Sequence, residues 1–122
     1  MSIKEDEKIS SSTLYKGLFE FYRLLEQEMF FEAHELLEEL WKRSKKDPNL
    51  KETTRVLKGF INAAIAFEHI KRDRPKSKRV AQRAFGAFLK YHNDIDSSRY
   101  KELFKPFAKE IQRVSKEFMR GV

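Results

Sequence analysis

The 122-residue chain contains no cysteine, four glycines, three prolines and one tryptophan. Without cysteine there are no disulfides, no thiolate catalysis and no Cys-type zinc site. So few glycines and prolines leave little punctuation, and no stretch alternates apolar and polar residues for long, which argues against strands. No apolar run approaches the ~18 residues of a membrane span. The first ten residues, MSIKEDEKIS, are polar and acidic with no apolar stretch, unlike a secretory signal. No glycine-rich phosphate loop and no G-x-S-x-G elbow occurs. The expectation is a cytoplasmic protein with no membrane partner.

What is present is charge and apolar bulk. Charged residues make up 37% and hydrophobic residues 40%, enough apolar content to exclude a disordered chain. Residues 1–70 sum to −2 and residues 71–122 to +9, which together give the net +7. One acidic block holds Glu32, Glu35, Glu38 and Glu39. One basic block runs Lys71-Arg72-Asp73-Arg74-Pro75-Lys76-Ser77-Lys78-Arg79. The basic block offers Lys71, Arg72, Arg74, Lys76, Lys78 and Arg79 to nucleic acid or an acidic partner. No aromatic or amide side chain is interleaved in it, so nucleic acid is the less favoured reading.

The pattern predicts an all-α single domain of five or six helices over residues 11–122, after a flexible leader of residues 1–10. Ser10, Ser11 and Ser12 offer N-caps to a first helix ending near Gln27. A second helix spans about residues 31–44 and stops before Pro48. A third, about 51–71, is apolar almost all round and so is the buried centre of the bundle. Gly59 within it marks a close approach by a neighbouring helix. A fourth helix opens at Pro75 and ends near residue 91. A short helix reaches Phe104, and Pro106 opens a last one ending before Gly121. That last helix carries an apolar seam, Phe107, Ile111, Val114 and Phe118, which packs on its own domain or on a second copy as a homodimer.

Two polar anomalies define the candidate site. His34 and Glu38 lie one turn apart on the second helix, between the arcs of Trp41 and Phe31. A pair at i, i+4 can share a metal ion, a ligand or a proton. On the central helix Lys58, Asn62 and His69 form a narrow polar stripe. If the two faces meet, they enclose a pocket for a small ligand, with His34, Glu38 and His69 as candidate ligands of a divalent metal. The competing reading is a buried His34–Glu38 hydrogen bond that locks two helices together. The string from His34 to Glu38 lacks the second histidine of a zincin, and no histidine follows a glutamate by three residues as in di-iron bundles.

The stretch Phe30-Phe31-Glu32-Ala33-His34-Glu35-Leu36-Leu37-Glu38-Glu39-Leu40-Trp41 resembles the F-E-A-H-E-x-L-E-x-x-W signature of the bacterial and archaeal family called domain of unknown function 309. The block Leu57-Lys58-Gly59-Phe60-Ile61-Asn62-Ala63-Ala64-Ile65-Ala66-Phe67-Glu68-His69 is similar to a second motif of that family. Asn93-Asp94-Ile95-Asp96 fits its third motif loosely. The resemblance covers about residues 13–105 and implies a small helical bundle without assigning an activity. It points to His34, Glu35, Glu38 and Trp41, then to Gly59 and His69, with Lys58 and Asn62 standing where glutamines are expected. The candidate ligand-binding set is therefore His34, Glu35, Glu38, Trp41, Lys58, Asn62 and His69. The ligand and any reaction stay unassigned.

Overall fold

The computed structural model describes residues 9–122, so residues 1–8 of the expected leader lie outside it. Five α-helices follow in order: α1 (Ser11–Glu26), α2 (Phe30–Lys45), α3 (Lys51–Arg72), α4 (Ser77–His92) and α5 (Lys101–Phe118). A single 3₁₀ turn, Pro48–Leu50, joins α2 to α3. No strand occurs among the described residues. No helix among them is long and apolar enough to cross a membrane.

Each boundary has a local cause. The Ser10 hydroxyl accepts from the Thr13 N–H at 3.0 Å and starts α1. Glu28, in the left-handed region at φ 56°, turns the chain out of α1. The Met29 N–H then closes on the Leu24 carbonyl at 2.9 Å. Asp47 accepts from the Asn49 N–H at 3.0 Å and shapes the turn into α3. Ile9 is buried in the core, and its carbonyl accepts from the Tyr100 hydroxyl at 3.2 Å, so packing begins just before α1.

The central helix is α3, as its all-round apolarity implies. Val56, Leu57, Phe60, Ile61, Ala63, Ala64, Ala66 and Phe67 are all buried. Phenylalanines form its surroundings. The Phe60 ring stands 6.0 Å from Phe21, 6.1 Å from Phe88 and 5.6 Å from Phe104. Phe67 stands 5.5 Å from Phe30 and 6.0 Å from Phe118. Such pairs contribute about 0.5–1.5 kcal/mol each beyond area burial. The seam Phe107, Ile111 and Val114 is buried within the chain, and Phe118 packs on Phe30 at 5.0 Å.

Two expected boundaries are corrected. Helix α4 opens at Ser77 and not at Pro75, because Lys76 adopts the left-handed conformation at φ 71° and breaks the path from the proline into the helix. The expected break at Pro106 is absent, and α5 runs through it. Pro106 removes one hydrogen bond near the start of the helix. Phe104 and Phe107 on either side are both buried, and keeping both inside a single helix outweighs the lost bond. The segment between α4 and α5 is a series of turns. The Thr53 and Ser98 hydroxyls, 3.1 Å apart and buried, pin those turns to α3.

Candidate functional site

Helices α2 and α3 are joined by a short turn and pack against each other as antiparallel neighbours. Near the start of α2 and the end of α3 they leave a cavity of about 250 Å³. His34 and Phe31 line it from α2. Ile65, Glu68, His69 and Arg72 line it from α3. The two histidines are thus brought together across the helix pair. The 17% exposed His34 side chain packs edge-on against the Phe31 ring, with centroids 5.1 Å apart. Its Nδ1 atom is buried and has no hydrogen-bond partner. Its Nε2 atom lies 3.6 Å from Glu38 Oε1, beyond hydrogen-bond distance. The Glu38 side chain is 40% exposed. His34 and Glu38 share one helix, and their contact is at ion-pair and not hydrogen-bond distance.

Across the cavity, Arg72 gives its Nε–H to Glu68 Oε1 at 2.8 Å. The Glu68 side chain is 19% exposed, and this pairing compensates its charge at the cavity wall. The terminal amino groups of Arg72 have no partner among the described residues. Arg72 lines the site together with Phe31, Ile65, the two imidazoles and the Glu68 carboxylate it pairs with. Lys71 beside it donates to the Glu28 carbonyl at 2.9 Å and lies 5.9 Å from the Phe30 ring centroid.

The other expected site residues are elsewhere. Glu38 and Glu35 do not line the cavity, and Glu35 is exposed. Asn62 donates one Nδ2 proton to the Lys58 carbonyl one turn back, at 2.9 Å, within its own helix, and it does not line the cavity. Trp41 carries two ammonium groups on its ring: Lys45 Nζ at 4.1 Å and Lys58 Nζ at 4.5 Å from the centroid. Lys58 thereby answers the tryptophan. Among the described residues no three His, Asp or Glu side chains form a group able to hold a metal ion. The proposed His34, Glu38 and His69 ligand set is therefore not assembled.

The basic block is divided between engaged and unengaged cations. Lys71 and Arg72 are held as described above. Arg74, Lys76, Lys78 and Arg79 are exposed and have no carboxylate partner among the described residues. Sequence reasoning did not find Ile65, Glu68 and Arg72 as cavity residues. The spacing of Ile65 and Arg72 from His69, at i−4 and i+3, was the available signal, since such residues share one side of a helix.

A family model described as Domain of unknown function (DUF309) matches residues 18–80. No curated protein and no solved structure matches the chain. The match covers more than half of the chain and takes in all of α2 and α3, including both histidines of the cavity, so the chain belongs to the Domain of unknown function (DUF309) family.

Proposed function

We propose that the α2–α3 cavity binds a small organic carboxylate. The observation that carries this reading is His34, whose buried Nδ1 atom lacks a partner and which shares a cavity with His69. A buried polar atom left unpaired costs about 1–3 kcal/mol. Phe31 and Ile65 suit a short apolar body. The unused amino groups of Arg72 suit a carboxylate, and the two imidazoles donate to or accept from a second polar atom. At about 250 Å³ the cavity lies just below the ~300–1,000 Å³ range of ordinary ligand pockets. The occupant is accordingly a small molecule and not a polymer.

The test is a calorimetric titration with benzoate and butyrate, with benzyl alcohol as the uncharged control. Both carboxylates should bind, and benzyl alcohol should bind more weakly. In Arg72→Gln the carboxylate affinity should fall by about 10- to 100-fold, the range for one lost hydrogen bond to a charged group. Absence of binding by every carboxylate, or equal binding by the alcohol, defeats the reading.

A further inference from the structure

Trp41 is the chain's single tryptophan, and the cations on it belong to a larger assembly. Lys45 on α2 and Lys58 on α3 lie over its ring. Lys45 also lines, with Lys51 and Arg55, a depression of about 450 Å³ at the corner where α2 gives way to α3. Its floor is fixed, because the Thr54 hydroxyl lies within hydrogen-bond distance of both the Leu50 carbonyl, at 2.8 Å, and the Ser44 hydroxyl, at 2.9 Å, and donates its one proton to either. Lys45, Lys51 and Lys58 have no carboxylate partner among the described residues. Asp47 lines the same depression and accepts from the Asn49 N–H, and Asp94 pairs with Arg55 at 3.5 Å. Two cations, Lys45 and Lys58, thus lie over a half-buried indole, and Lys45 continues into a depression that Lys51 and Arg55 also line.

We propose that this corner binds single-stranded nucleic acid. Lys45, Lys51 and Arg55 meet successive phosphates, and Trp41 offers its ring to a base as Lys58 and Lys45 swing from the indole to the backbone. Aromatic stacking beside a cationic track is the chemistry by which single strands are held without sequence readout. A duplex keeps its base faces stacked inside and has none to offer the indole, so the single strand is the favoured form. Among the basic surfaces this one combines three lysines that have no carboxylate partner among the described residues with an aromatic ring. The 71–79 block has no aromatic among its residues and already commits Lys71 and Arg72.

The test uses the intrinsic emission of Trp41 in the full chain, titrated with a 12-nucleotide oligo(dT), an oligo(U) of equal length, a duplex and inorganic phosphate. Both single strands should change the emission saturably, whereas duplex and phosphate should not. Three phosphate contacts at about 0.7 each give a log–log salt slope near −2, hence about a 20-fold loss of affinity between 50 and 200 mM salt. The double variant Lys51→Gln/Arg55→Gln, on exposed positions, should weaken binding at least fivefold and flatten that slope. Lys78→Gln/Arg79→Gln should leave both unchanged. No emission change, binding that leaves the emission constant, loss of binding in the Lys78/Arg79 variant, or an equal response to inorganic phosphate would each overturn the proposal.

Discussion

Gly59 on α3 and Tyr91 on α4 meet with almost no room for another carbon between them. A Cβ on Gly59 would stand 3.1 Å from the Tyr91 Cβ and 3.5 Å from the Phe88 Cα. The two longest-packed helices of the bundle therefore touch close to backbone on backbone, and the neighbouring atoms cannot be moved by a rotamer change.

Gly59→Ala should consequently destabilise the protein. Alanine gains about 1 kcal/mol in helix propensity, but forcing a carbon into this contact costs about 1–3 kcal/mol. Gly86→Ala is the internal comparison, because nothing lies within 4 Å of its added Cβ. That change should raise the melting temperature by several degrees. Thermal melts of the two variants should move in opposite directions.

Pro106 sits inside α5 on the exposed side. Pro106→Ala restores an N–H to the Glu102 carbonyl and removes the ring clash there. It should stabilise the protein by about 1–2 kcal/mol, less than the full proline penalty because the unfolded chain also gains freedom. Chemical denaturation with an unchanged m-value checks this.

Arg113 joins α5 to α1. Its guanidinium donates to Glu26 at 2.7 Å and to Glu110. The hydrogen bond from Arg113 holds the Glu110 carboxyl below its ordinary value, while a hydrogen bond shared with Glu110 pushes the Glu26 carboxyl up. The lowered Glu110 group adds stability that is present above the ordinary glutamate range near 4.5 and is lost as the pH falls below it. The raised Glu26 group acts in the opposite sense, adding stability only at acid pH. Arg113→Ala leaves two adjacent carboxylates without their cation. Because Arg113 and Glu26 are exposed, although the Glu110 side chain is only 15% exposed, the loss should be about 1 kcal/mol at pH 7. It should shrink toward pH 3.5 as the carboxylates protonate, a trend that melting curves across this range measure.

His34→Phe separates a binding role from a structural one. The change removes a buried nitrogen that has no partner and replaces it with an apolar ring. Removal of an unsatisfied group is close to neutral or stabilising, so the melting temperature should hold or rise while carboxylate affinity falls. A loss above about 2 kcal/mol would instead make His34 a fold-holding residue.

The bundle was legible because α3 is apolar around almost its whole circumference, the pattern of a buried central helix. Gly59 was legible for the same reason. The site was half legible. A helical wheel records angle and discards height along the axis. His34, Glu38 and Trp41 share a side of α2, yet Trp41 stands seven residues beyond His34, about 10 Å at ~1.5 Å per residue. In an antiparallel pair, His34 therefore meets His69, whereas Trp41 meets Lys58. One expected pocket became two separate places. Pro106 misled because local geometry favours a fresh start there, whereas the burial of Phe104 and Phe107 on both sides favours continuity.

The most direct measurement is the NMR spectrum of the imidazole carbons and protons during titration with benzoate. The chain has three histidines, so the signals are few. His92 lines a different depression and serves as the internal control. The account predicts that the His34 and His69 signals shift together along one saturation curve while His92 and the Trp41 indole stay still. Shifts of His92 or Trp41 alone, or no imidazole shift at saturating benzoate, would contradict it.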